Sequence, residues 1–270
     1  FLPITNPAEI ADSGVNIPII GVLQESVSKN TNMFDMLDSD DPLVQSIEST
    51  ILHLIDDLSK NTDKNKLVTL TSPTPKNGKT FVSSLIARKL GALGHKVLLI
   101  DFDLKRGDQH KIFNMEKITR SDFFNFDTEN LEKYAVDKNT YLLPKITRLS
   151  SSFQFFYSPE FHKKIDEMKD YFDIMIMDTA PLLSVSDTAI LMSISDLNYA
   201  ICRHGLTKTR EIQQLINLAE QSGTSFNGII YNCYKKPDSY YGYYGLYGNY
   251  EYQYYAKKYL YESYDYKNEE

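Results

Sequence analysis

Pro75-Lys76-Asn77-Gly78-Lys79-Thr80 joins the apolar run Leu67–Leu70 to the run Phe81–Leu90, and its chemistry is anion binding. Backbone N–H groups at a helix start attract phosphate, Lys79 can reach the terminal phosphates, and the Thr80 hydroxyl can ligate Mg2+. The usual phosphate-loop pattern carries a glycine five residues before Gly78, where this chain has Pro73. A solvated turn with an ordinary surface lysine has the same short signature, so the loop needs companions. Asp101 and Asp103 end the apolar run Val97–Ile100, and Asp178 ends Ile174–Met177. Singly, each reads equally well as a turn or a helix cap. Together they are what a magnesium-bound triphosphate requires, and one of them can take a proton from a hydroxyl nucleophile. Lys105 and Arg106 follow directly and would add positive charge, or face solvent.

These residues need a frame that brings strand ends together. Val82, Leu85, Ile86, Lys89, Leu90 and Leu93 recur at helical spacing after the loop. Upstream, Asp40-Asp41-Pro42 is a helix start, and Leu43, Ile47, Ile51, Leu54 and Leu58 mark one apolar face. Pro7–Ile10 opens a short helix, and 17–23 reads as a strand. Further strands are expected at 67–70, 97–101, 140–143, 173–178, 198–202 and 228–231, with helices near 159–170, 188–193 and 208–221. Apolar strands alternating with helices predict an α/β fold of the P-loop NTPase type, a mostly parallel sheet with helices on both faces. Ligands bind such sheets at the carboxyl ends of the strands, where all of the motifs fall. The organisation reads as an approach segment over 1–40, a core over 41–237, and a tail over 238–270.

Net charge is −7, which gives no basic field for nucleic acid. Cys202 and Cys233 lack metal-ligand spacing and read as reduced core thiols. No apolar run reaches the roughly 18–20 residues of a membrane span. The chain opens Phe1-Leu2-Pro3-Ile4 with no basic leader, and a start without methionine is expected of a piece of a longer protein. From Tyr240 the composition changes. Tyr240, Tyr241, Tyr243, Tyr244, Tyr247, Tyr250, Tyr252, Tyr254, Tyr255, Tyr259, Tyr261, Tyr264 and Tyr266 crowd a stretch with almost no aliphatic residues, which reads as a flexible tail.

In this company the motifs resemble those of the bacterial tyrosine kinases. Val97–Arg106 resembles their Walker A′, Asp173–Pro181 their Walker B, and Pro75–Thr80 their form of Walker A; a tyrosine-rich C-terminus is a further hallmark. The resemblance implies an ATP- and Mg2+-dependent protein tyrosine kinase that autophosphorylates its tail, in trans. It implies Lys79 on the phosphates, Thr80 and Asp103 on Mg2+, Asp178 on the metal's water shell and Asp101 as base. The nucleotide-binding set by this analogy is Pro75, Lys76, Asn77, Gly78, Lys79, Thr80 and Phe81, with Arg203 and Asn232 near adenine. Such kinases work at the cytoplasmic face of the inner membrane, governing capsule or exopolysaccharide polymerisation and export. The implied partners are further copies of the chain, an upstream membrane segment or membrane adaptor, and a low-molecular-weight tyrosine phosphatase. One departure stands out: where the family carries Glu-x-x-Arg-x-x-Arg before Walker A, this chain has Gln45, Glu48 and Ile51. A ring of subunits built by that contact loses its charges, which leaves assembly to other surfaces. Two other readings share the loop. A partitioning-type ATPase switch usually has an extra lysine where Thr74 stands, and a non-catalytic assembly subunit would hold nucleotide only as scaffold.

Overall fold

In the computed structural model, residues 2–27, 39–60 and 66–235 are described. All the tail tyrosines, and most of the 24–40 stretch, lie outside the described residues. The order is α1 (Ala8–Asp12), β1 (Ile19–Gln24), α2 (Pro42–Lys60), β2 (Lys66–Thr71), α3 (Lys79–Ala92) and β3 (Val97–Phe102). Then come α4 (Gln109–Ile112), α5 (Arg120–Phe124), a 3-10 helix (Thr128–Tyr134), β4 (Thr140–Leu143), α6 (Ser152–Tyr157), α7 (Pro159–Lys169) and β5 (Ile174–Thr179). The unit closes with α8 (Asp187–Ser193), β6 (Leu197–Arg203), α9 (Thr209–Gln221) and β7 (Gly228–Tyr234).

The seven strands form one sheet in the order β1-β7-β6-β2-β5-β3-β4, and every pairing is parallel. Every residue of β2, β3 and β5 is buried, because helices cover both faces; that is why these strands read as unbroken apolar runs. The β3–β5 register places Asp101 directly beside Asp178. Parallel pairing thus turns two strand-end motifs, far apart in sequence, into neighbours.

Asp41 accepts from the Leu43 N–H at 2.9 Å, and Pro42 begins α2, whose expected apolar face is buried throughout. In α3, Val82, Leu85, Ile86 and Leu90 are buried as their spacing predicts. Leu93 is not: it sits at the helix C-cap and is 62% exposed. Lys89 instead reaches Glu48 on α2 at 2.8 Å. Of the positions that replace the charged family pattern, Glu48 therefore pairs within the chain, Ile51 lies in the core and Gln45 is exposed.

β3 separates two packing layers. Val97 and Leu99 face the aliphatic cluster of α2 and α3, while Leu98, Ile100 and Phe102 face a phenylalanine-rich cluster. Phe102 lies 6.0, 5.2 and 5.5 Å, centroid to centroid, from Phe123, Phe156 and Phe161. The short helices α5 and α6, which no sequence pattern announced, supply Phe123 and Phe156, and α7 supplies Phe161. Neither cysteine is in a disulfide; Cys202 is buried as expected, whereas Cys233 is only half-buried at the end of β7. Among the described residues no helix is long and apolar enough to cross a membrane.

Candidate active site

The loop between β2 and α3 is held from several sides. Gly78 sits at φ 88°, left-handed backbone that glycine adopts without strain, and a Cβ there would stand 2.2 Å from Asn232 Nδ2. Lys76 takes φ 72°, uncommon for a side-chain-bearing residue. Asn77 is fully buried and staples the loop: its Nδ2 donates to the Thr74 carbonyl at 2.6 Å. Its Oδ1 accepts from the Arg203 N–H at 3.0 Å and from the Thr207 hydroxyl at 2.6 Å. Asn232 Nδ2 donates to the Asn77 carbonyl at 2.9 Å, and an Arg203 guanidinium nitrogen to the Lys76 carbonyl at 3.1 Å. Arg203 and Asn232, placed near adenine by resemblance, thus buttress the loop backbone in this structure. Thr207 belongs to the same brace, and no motif announced it.

Gly78 offers α3 no side-chain cap, so N–H groups at the start of this 14-residue helix have no capping partner of their own chemistry. Together with the helix dipole, this makes an anion site. Lys79 is buried at the helix start, its Nζ 3.9 Å from Asp103 Oδ2, with both side chains less than a tenth exposed. Asp103 stands just beyond β3 and also accepts from the Arg106 N–H at 2.8 Å, which curls the chain into a turn.

That turn covers Asp101. A Cβ on Gly107 would lie 2.1 Å from Asp101 Oδ1, so only glycine lets the chain pass so close. Asp101 and Asp178 are both wholly buried, and Asp101 Oδ1 and Asp178 Oδ1 have no hydrogen-bond partner. Burial, then the neighbouring Asp178, pushes the Asp101 carboxyl well above the usual carboxylate range. Burial pushes Asp178 up to about 6, against the pull of Lys79 and hydrogen bonds from Thr80 and Gln109.

Gln109, which sequence reasoning missed, ties the acids to the loop. Its N–H donates to Asp101 Oδ2 at 3.1 Å and its Nε2 to Asp178 Oδ2 at 3.0 Å. The same amide reaches the Thr80 carbonyl at 3.0 Å and Ser83 Oγ at 2.8 Å, while its Oε1 accepts from Ser84 Oγ at 2.6 Å. A lone glutamine in the polar stretch Gly107–His110 carries no signal of its own; only its burial reveals the role.

The structure therefore brings Lys79, Thr80, Asp101, Asp103 and Asp178 together at one sheet edge. Among the described residues no group of three or more His, Cys, Asp or Glu side chains is set to hold a metal. Mg2+ carried by phosphates needs fewer protein ligands. The buried, unpartnered Oδ1 of Asp178, beside the Thr80 side chain and with Asp103 close to Lys79, fits that requirement.

Residues 75–228 match the family described as an AAA domain. The tyrosine-protein kinase CpsD of Streptococcus pneumoniae is 32% identical over 174 residues, covering 63% of this chain and 77% of CpsD. The chain belongs to the bacterial tyrosine kinase family. A second relative in it, the tyrosine-protein kinase ptk of Acinetobacter johnsonii, is 31% identical over 230 residues, 83% of this chain. The matched region spans about a third of that kinase's length, 31%. The solved kinase domain of Escherichia coli tyrosine kinase ETK superposes with a TM-score of 0.72 at 23% identity, covering 89% of this chain and 99% of that domain, a likeness of fold.

Proposed function

We propose that this chain is an ATP- and Mg2+-dependent protein tyrosine kinase that phosphorylates the tyrosines Tyr240–Tyr266 of a second copy of itself. Family membership supports the class of reaction. The observation that carries the reading is the cross-strand pair Asp101–Asp178, buried with an orphaned oxygen on each and set beside Lys79 and Thr80.

In this reading the start of α3 and Lys79 bind the phosphates of ATP, and the Lys79–Asp103 ion pair, long at 3.9 Å, opens toward them. Thr80 and Asp103 would hold Mg2+, with Asp178 assisting, and the ion would supply neutralisation of the phosphate charge. Asp101 takes the proton of the acceptor tyrosine as that oxygen attacks the terminal phosphorus and ADP leaves. A carboxylate whose proton affinity is raised by burial suits that task at neutral pH. Because the Leu104–Gly107 turn covers Asp101, this turn lifts when an acceptor enters. Arg203 and Asn232 serve by holding the loop rigid, the positioning on which phosphoryl transfer depends. The cellular role that fits is regulation of capsule or exopolysaccharide polymerisation and export. It would be carried out at the inner face of a membrane with an upstream segment or adaptor, and reversed by a low-molecular-weight tyrosine phosphatase.

The test is phosphotyrosine on the purified chain after phosphatase treatment and re-incubation with Mg-ATP. Lys79→Met and a chain ending before Tyr240 run beside it. Signal in the intact chain alone is expected. ATP hydrolysis without phosphotyrosine would replace this reading with an ATPase switch, and nucleotide binding with neither activity would leave a scaffold.

A further inference from the structure

α6 presents two opposite aromatic faces. Phe155 and Phe156 are buried in the phenylalanine-rich cluster. Phe153 and Tyr157, four residues apart, point outward, 53% and 69% exposed, with rings stacked at 5.7 Å and 9°. Among the exposed large hydrophobic residues described, these are the two whose rings pack on each other. Leaving a matched ring pair in water forgoes burial that rings of this size otherwise seek.

The helix stands at the catalytic edge. The Ser152 hydroxyl, at its first residue, donates to Asp187, which opens α8 and is separated by five residues from the Asp178–Pro181 segment. A small depression beside it is lined by Leu104, Lys105, Phe156, Val185 and Asp187, so the chain leaving Asp103 forms its other wall. Lys105 and Arg106 are exposed on that chain. Lys105 and Arg106 thus stand two and three residues beyond Asp103, and α6 shares the depression with Lys105 through Ser152 and Phe156.

We infer that the outward face of α6, Phe153 with Tyr157, is the docking surface for the tyrosine-rich segment 240–266 of a second copy. This rests on the kinase reading above and names where its acceptor binds. The occupant follows from chemistry: that segment is dense in tyrosine and carries Glu251, Glu262 and Asp265, with Lys257 and Lys258 between Glu251 and Glu262. Its rings complement Phe153 and Tyr157, and its carboxylates complement Lys105 and Arg106. Thirty-five residues follow Lys235, the last described residue, length enough to offer such a segment to an adjoining copy. A tyrosine held on α6 leaves its sequence neighbours free to enter the edge where Asp101 and Asp103 end β3, so one docking site serves many acceptors.

The experiment pairs a donor, the full chain with Phe153→Ala and Tyr157→Ala, with a tagged Lys79→Met full chain as acceptor. The KM for the acceptor chain is expected to rise about tenfold, the loss of ring-on-ring contacts, while kcat and the KM for ATP stay at wild-type values. A donor with Phe153→Tyr and Tyr157→Phe keeps both rings and is expected to keep the wild-type KM. A labelled 240–266 peptide is expected to bind the Lys79→Met chain, and to lose that binding with the two alanines; this measurement decides should the alanine donor be inactive. An unchanged acceptor KM, or peptide binding indifferent to the alanines, overturns the inference. Failure of the kinase reading is distinct, because then even the wild-type donor forms no phosphotyrosine.

Discussion

Asp101 and Phe102 are consecutive residues of β3, yet they belong to regions built on opposite terms. Alternation along the strand sends Asp101 toward α3 and Gln109, and Phe102 toward Phe123, Phe156 and Phe161. On the first side, burial is unfavourable: two carboxylates lie side by side without full partners, and their pKa values rise. On the second side, burial is favourable, and aromatic rings meet mostly edge to face. The second region supplies the rigidity with which the first is kept in a state that ligand would relieve. An active site of this kind is therefore only as pre-organised as the apolar layer behind it.

The sharpest way to break the comparison is to mutate each side. Phe102→Ala is expected to cost about 3–5 kcal/mol of stability, with activity falling only as the folded fraction falls. Asp178→Asn is expected to do the reverse. Phosphotyrosine formation drops by about a hundredfold or more, while the nucleotide-free protein is no less stable at pH 8, since a disfavoured buried charge is gone. Urea unfolding and autophosphorylation on both variants decide it; equal stability losses would erase the distinction.

Gln109→Leu sharpens the boundary between the two regions. It removes the amide that joins Asp178 to Thr80 and Ser83. A stability loss of about 1–3 kcal/mol is expected from the polar groups left unpaired, with a larger fractional loss in kcat than in ATP binding.

The smallest effect is in pH. Asp178, raised to about 6, binds a proton in the folded state where the unfolded chain does not. Between its ordinary value near 3.8 and about 6, this group makes the nucleotide-free protein less stable as pH rises, and above about 6 the contribution is flat. Mg-ADP binding, which needs the ionised form, strengthens across the same window and takes up no further advantage above it. Melting temperatures with and without Mg-ADP from pH 5 to 8 should diverge as pH rises and then run parallel.

Much of this was legible in the chain. The strand Val97–Asp101, the strand ending at Asp178 and the helix after Gly78 stand where their apolar runs placed them, because a sheet covered on both faces needs such runs. Leu93 misled: its spacing continued the apolar face of α3, but the helix ended one residue earlier and left it in solvent. Arg203 and Asn232 entered only by resemblance, as residues near adenine; what the structure shows of them is that they brace the loop backbone. Gln109, Thr207 and the helices from Gln109 to Tyr157 were invisible, since polar and irregular segments carry no period that predicts burial.

What the sequence determined by itself was local: a loop that binds anions at a helix start, acids at strand ends, and the alternation that makes a parallel sheet. Those properties depend on residue type and on spacing within about ten positions. What only the tertiary structure decided was adjacency. The parallel β3–β5 register set Asp101 against Asp178, the turn through Gly107 closed over them, and Gln109 was carried inward to hold both. Register and burial are properties of the whole packed sheet, and no short stretch of chain contains them.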